Sequence, residues 1–277
     1  MSAKHINLIF PQWQGGGQDL STYYGAKEFH ELYLNDSIVT EIEVSTDRIV
    51  DTINDIFGYK YIADQMIEVH NVLREETPDT IFTIGGGCDA NIPAVSYLNH
   101  KLKGDMTVLW FDSHGDLNTP QSSISKYFYG MPLRTLLGDG DDKIIDELPS
   151  TLIPSQVIMM GAHDLDPEEQ LYINNHSIPV ISIADMEQNS EEVLNVIRSK
   201  GSKNLYIHID LDVLDSDQFP YVPVPMKNGL NLATLQKLLG VMDTNFNIIG
   251  LDLMEYNSTG KKRYELFEEI CRIGTSL

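Results

Sequence analysis

Two short acidic blocks carry the side chains most suited to chemistry. Asp112-Ser-His114-Gly-Asp116 follows the apolar run 106–111, and Asp210-Leu-Asp212, with Asp215 just beyond, follows the apolar run 204–209. On an extended chain, side chains two apart point the same way, so each block is expected to present its groups as a row at the end of a buried strand. Five carboxylates and an imidazole brought together would repel one another unless cations neutralised them. Carboxylate oxygens with a neutral imidazole suit Mn²⁺, and a carboxylate can bridge two ions. The pattern is that of a two-metal hydrolytic centre. A lone Asp after a strand is commonly a turn or helix cap, but that reading does not account for three ligand types at alternate positions.

These blocks need a framework that brings strand ends together. Short apolar runs at 6–10, 80–84, 107–111, 156–160, 180–183, 205–209 and 248–253 read as strands. Between them, 61–75, 90–98, 167–174, 190–200, 232–242 and 262–271 read as helices, as in the spacing of Leu232, Leu235, Leu238, Leu239 and Met242. Alternation of this kind predicts an α/β fold with a mainly parallel sheet covered on both faces. With neither linker nor repeat in its 277 residues, the chain is expected to form one domain, 1–277. Ligands of such sheets bind at the carboxyl ends of the strands, where Asp112, Asp210 and the segment from Asp252 to Glu255 fall.

Composition narrows the function classes. The 41 acidic and 19 basic residues give a net charge of −22, which excludes an electrostatic footprint for nucleic acid or an anionic membrane. No apolar run approaches a membrane span, and nothing at the N-terminus reads as a signal peptide. Two cysteines, Cys88 and Cys271, point to a reducing cytoplasmic setting rather than a disulfide framework, with Cys271 as packing.

Together the blocks resemble the arginase/agmatinase/formiminoglutamase group of ureohydrolases, whose signature is an Asp-x-His-x-Asp block and a later Asp-x-Asp-x-x-Asp block. The likeness extends to Gly85-Gly-Gly87, Asp116-Leu-Asn-Thr-Pro120, Gly161-Ala-His-Asp-Leu-Asp-Pro-Glu-Glu169 and Asp252-Leu-Met-Glu-Tyr-Asn257, in the family's order. It implies a three-layer α/β/α sandwich around an eight-stranded parallel sheet, two Mn²⁺ ions, and a homo-oligomer (trimer or hexamer). By the same resemblance Asp112 and Asp210 bridge the metals, His114 and Asp212 bind one ion, and Asp116 binds the other and holds the attacking hydroxide. Glu255 pairs with the substrate guanidinium, a charge-assisted clamp for a planar cation.

Within the group, Asn118-Thr-Pro-Gln-Ser-Ser123-Ile-Ser125 is closer to arginases. The resemblance assigns the substrate α-carboxylate to Asn118, Ser123 and Ser125, and the α-amino group to Asp166 and Glu169. Hydroxyl and amide donors suit a carboxylate, and agmatine has none. The implied reaction is cleavage of the arginine guanidinium to ornithine and urea.

Two positions depart from the family pattern. A metal-binding histidine is implied where this chain has Cys88; as a thiolate it would favour zinc or iron, and as a neutral thiol it would leave one metal position weak or empty. Asp89 is an alternative ligand that should project elsewhere. A proton-shuttling histidine is implied where this chain has Tyr129, whose phenol transfers protons poorly at neutral pH. A slow arginase, an enzyme for a related amidine and a family member without turnover all remain open. A zinc deacetylase is disfavoured, because the chain offers no His-His pair. His163 reads as a surface residue satisfied by a neighbouring carboxylate, and Tyr127, Phe128 and Tyr129 as a pocket wall.

Overall fold

In the computed structural model, which describes residues 3–49 and 51–277, all the strands of the main sheet run parallel. The strands are β1 (His5–Phe10), β2 (Thr40–Glu41), β3 (Thr52–Ile53), β4 (Ile56–Phe57), β5 (Thr80–Gly85), β6 (Thr107–Phe111), β7 (Val157–Met160), β8 (Val180–Ile181), β9 (Asn204–Asp210) and β10 (Asn247–Met254). Eight of them form the sheet in the order β2-β1-β5-β10-β9-β6-β7-β8, while β3 and β4 make a small antiparallel hairpin. The helices are α1 (Ser21–Phe29), α2 (Tyr59–Glu76), α3 (Ile92–Lys101), α4 (Pro132–Leu136), α5 (Asp142–Asp146), α6 (Pro167–His176), α7 (Ile183–Gln188), α8 (Ser190–Ser199), α9 (Leu232–Asn245) and α10 (Glu265–Gly274).

Side-chain alternation along the strands splits the core in two. Val108 and Trp110 of β6 face one way, with Tyr206 of β9, against α2 to α6. Leu109 and Phe111 face the other way, with Ile207 and Ile209, against α1 and α7 to α10. Because both faces are covered, the central strands are buried and mainly apolar without period-two polarity, with His208 and Asp210 of β9 and Asp252 of β10 as buried polar exceptions. The expected three-layer α/β/α sandwich with its eight-stranded sheet is what forms.

The expected boundaries shift where side-chain caps intervene. The run 180–183 yields only the two-residue strand β8, because the Ser182 hydroxyl accepts a hydrogen bond from Asp185 N and starts α7. Helix α10 begins at Glu265 rather than 262, after an extended Tyr264. Strands β2, β3 and β4 and helices α1, α4, α5 and α7 are not among the expected elements. Strand β2 is a two-residue edge, and α1 contains Gly25, where a Cβ would collide with the Tyr256 carbonyl. Among the described residues no helix is long and apolar enough to cross a membrane.

Candidate metal centre and substrate cavity

Four adjacent central strands, β5, β10, β9 and β6, end at the same edge, and each is followed by residues of one cavity. Register fixes their proximity: Met254 pairs with Asp210, and Phe111 with Ile209. Glu255 and Asp112, one residue further on, therefore flank the end of β9. Behind β5 the glycine turn passes close under this edge. Gly86 O accepts a hydrogen bond from Glu255 N at 2.7 Å, and a Cβ on Gly86 would run into the Gln12 carbonyl.

The acidic blocks are not extended rows. Strand β6 stops at Phe111, and a 3₁₀ turn, Leu211–Val213, follows Asp210. In each block the first aspartate folds back onto the chain two residues later: Asp112 Oδ1 accepts from His114 N at 2.6 Å, and Asp210 Oδ1 from Asp212 N at 2.8 Å. Local Asx bonding of this kind outcompetes strand continuation for a short polar side chain. The two blocks are then stitched together by Ser113, whose N–H donates to Asp212 Oδ1 and whose hydroxyl donates to the Asp212 carbonyl. Asp116 and Glu255, which both line the cavity, adopt left-handed backbone angles, φ 53° and 61°, unusual for residues with side chains.

Of the five carboxylates expected to converge, Asp112, Asp116, Asp210 and Asp212 do so, all buried. Asp215 does not: its Oδ1 caps Asp217 N in the following turn. Glu255 takes the fifth place. Three groups of ligand atoms lie mutually within 4.8 Å: Asp112, His114 and Asp212; Cys88, Asp210 and Glu255; and Cys88, Asp112, Asp116 and His208. Cys88 thus reaches the cluster, its thiol donating to Asp210 Oδ2 at 2.8 Å. Asp89 turns away, as expected. It is fully buried beside Gly15 with both oxygens unpartnered.

The electrostatics reflect this crowding. Burial, with the charges of Asp112 and Asp210 added, pushes the Asp116 carboxyl well above the usual range. Burial, then Asp212, does the same to Asp210 and Glu255. Burial and Asp112 raise Asp212 to about 6. Burial also opposes charge on His114 and Asp112, but their mutual hydrogen bond and attraction prevail, holding the imidazole pKa high and Asp112 low. Burial, then Asp210, drives the Cys88 thiol strongly upward.

These donors fit divalent cations. Asp116 Oδ2 is buried and accepts no hydrogen bond. Asp212 Oδ2 lies 2.7 Å from His114 Nδ1, so that the imidazole carries the positive charge here and the two atoms are spaced to share one cation in its place. Buried carboxylates crowded together call for positive charge.

Above the cluster opens a cavity of ≈ 390 Å³, lined by the buried carboxylates Glu255, Asp116 and Asp212 together with Asn118, Ser123 and Ser125. Asp166 and Glu169 also line it. Glu169 already accepts from Leu117 N and Asp166 N, at 3.0 and 2.9 Å, which clamps the start of α6 onto the loop after Asp116. Asn118 donates to Asp166 Oδ2 and accepts from Ser122, a residue the sequence did not single out. The Ser123 and Ser125 oxygens accept the amides of Lys126 and Tyr127, and the two hydroxyls lie 3.4 Å apart, so one donates to the other and the second hydroxyl proton remains for a ligand. Of the expected aromatic wall only Tyr129 lines the cavity, its phenol pushed up to about 12 by burial and Glu255. Phe128 is core, and Tyr127 stacks between Phe57 and Tyr129. His163 is exposed, with Nδ1 against the Gly161 carbonyl rather than a carboxylate.

Residues 21–265 match the arginase family, and the chain belongs to it. Membership supports a metal-dependent, arginase-like ureohydrolase acting on C–N bonds. An arginase of Staphylococcus aureus (strain COL) is 27% identical over 205 residues, covering 70% of this chain and 68% of its own. Among solved structures, Entamoeba histolytica arginase in complex with L-ornithine superposes with a TM-score of 0.85 at 20% identity, covering 100% of this chain and 99% of its own. The native arginase of Bacillus caldovelox gives 0.83 at 18% identity, with 100% and 98% covered. At those identities the structures establish the fold.

Proposed function

We propose that this protein hydrolyses the guanidinium group of arginine, or of a close amino-acid-like guanidino compound, releasing urea. The observation that carries the reading is one cavity lined both by Glu255 with the carboxylate cluster and by the neutral donors Asn118, Ser123 and Ser125. The first set suits a cation and the second a carboxylate. The Entamoeba histolytica relative is described with L-ornithine, an amino acid that carries both groups.

Asp112 and Asp210 would be shared between two ions, His114 and Asp212 would bind one, and Asp116, with Cys88 at the margin, would bind the other. When bound, the ions supply an acidified water as nucleophile and cancel the repulsion among the carboxylates. The oxygen-rich donor set favours Mn²⁺. The chain's own residues do the positioning. Glu255 pairs with the guanidinium and holds its carbon over the cluster. Asp116 accepts a hydrogen bond from the nucleophile and orients it. Tyr129 donates a hydrogen bond near the leaving group, and Asp166 and Glu169 provide negative charge for an α-ammonium. A cytoplasmic location is consistent with two free, buried cysteines, and a trimer or hexamer follows only from the family resemblance.

The test is urea release from arginine and from agmatine, each with Mn²⁺, Co²⁺ or Zn²⁺. Turnover of arginine in preference to agmatine is expected; silence on every guanidino substrate with all three metals would refute the assignment. The protonated Cys88 thiol bonded to Asp210 favours a second reading, a metal-poor binding protein without turnover. Metal analysis separates the two, since two ions per chain is incompatible with a metal-poor site.

A further inference from the structure

His208 lies on β9, two residues before Asp210, and is fully buried. Its ring lies against that of Trp110, the residue opposite it on β6, with centroids 3.8 Å apart and planes tilted by 32°. Its Nδ1 is 2.7 Å from Asp252 Oδ1, on the residue opposite it on β10, and Asn91 adds a second contact to the same nitrogen. Nε2 has no partner. A ring nitrogen of His208 lies within 4.8 Å of the Cys88 sulfur and of an oxygen each from Asp112 and Asp116. Asp116 Oδ2 is unpartnered in the same place.

A buried imidazole nitrogen without a partner is costly unless something binds it. Here the other nitrogen faces a carboxylate at 2.7 Å, and with the proton on Nδ1, donated to Asp252 Oδ1, Nε2 is left as a bare lone pair. Metal-binding histidines are set up this way: a carboxylate takes one N–H while the opposite nitrogen binds the ion. The close contact with Trp110 restricts the ring, and Trp110 Nε1 in turn donates to Asp112 Oδ2 at 3.2 Å.

We propose that His208 is a metal ligand, and that the ion position on the Cys88 side is built from His208, Asp112 and Asp116, with Asp252 as positioning residue. The imidazole missing from the glycine turn is thereby supplied from within β9, and Cys88 is left as a hydrogen-bond donor to Asp210. This inference rests on the metal-centre reading above. It differs from a structural reading in which His208 and Asp252 merely tie β9 to β10.

Pulsed electron paramagnetic resonance on the Mn²⁺-loaded wild-type protein tests it directly. Two inequivalent imidazole-nitrogen couplings are expected, because His114 and His208 are the imidazoles at the cluster. His114→Ala, at the rim, should remove one coupling, and His208→Gln the other. His208→Gln should also weaken one of two manganese equivalents about 10- to 100-fold, and Asp252→Asn about 10-fold. One imidazole coupling in wild type, with two ions bound, overturns the proposal and leaves the metal centre standing. Wild-type protein that binds no manganese overturns both. The wild-type spectrum decides even if His208→Gln fails to fold.

Discussion

His114 Nδ1 and Asp212 Oδ2 lie 2.7 Å apart, although 98 positions separate them in the chain. The imidazole from the block after β6 and the carboxylate from the block after β9 therefore form one unit. Neither strand end alone offers a complete set of ligands. The contact exists because β6 and β9 are neighbours in register and because Ser113 pins the two turns together.

Glu255→Gln removes the charge that would face the guanidinium and keeps the side-chain shape. Urea release should fall about 10²- to 10³-fold. Metal content should stay near the wild-type level, because the cluster retains its other carboxylates. Steady-state kinetics alongside metal analysis of the same preparation check both halves.

Asn118→Ala and Ser123→Ala should each raise KM for arginine about 10-fold or more, as expected for a lost hydrogen bond to a charged group. The weak activity on agmatine should barely change, because agmatine lacks the carboxylate these donors would bind. An equal loss on both substrates would show that the loop acts on cavity shape instead.

Asp89 is fully buried without a hydrogen-bond partner, and burial raises its carboxyl to about 7. The folded protein holds this proton more tightly than the unfolded chain does, so stability falls as pH rises from about 4 through 7. At pH 8 the penalty is of order ~4 kcal/mol. Asp89→Asn should therefore stabilise the protein at pH 8 and leave it little changed at pH 4, as measured by denaturant unfolding.

Removal of cations should matter most at alkaline pH. The carboxyls of Asp116, Asp210 and Glu255 are raised by burial and by one another, so without ions the fold is progressively destabilised as pH rises and they ionise. His114 acts in the same direction, since its pairing with Asp112 and Asp212 is lost on deprotonation. Asp112, held low, loses stabilisation only under acid. Manganese should raise Tm far more at pH 8 than at pH 5, because the ions bind ionised ligands. Thermal scans with and without chelator test this.

Tyr129→His should raise kcat at neutral pH about 10-fold or more, if proton transfer limits the rate. The Tyr129 phenol, raised to about 12, stays protonated throughout the working range, whereas an imidazole there would titrate within it. An unchanged kcat would place the slow step elsewhere.

Much of this was legible in the chain alone. Continuous apolar runs alternating with helical periods specify a buried parallel sheet, because a strand covered on both faces has no polar side. The acidic blocks announced themselves because several carboxylates and an imidazole brought together at the ends of such strands need a cation to offset their repulsion. Asp215 was misread, since a carboxylate capping the next turn looks the same in sequence as one turned into a cleft. His208 was passed over because a histidine inside an apolar run reads as a core residue. Its surroundings come from three other segments: Trp110 on β6, Asp252 on β10 and Cys88 after β5. Which residues carry the chemistry was thus set locally, by side-chain type and by position relative to a strand end. Which of them meet was decided by strand order and register, properties of the folded sheet that link residues far apart in the chain.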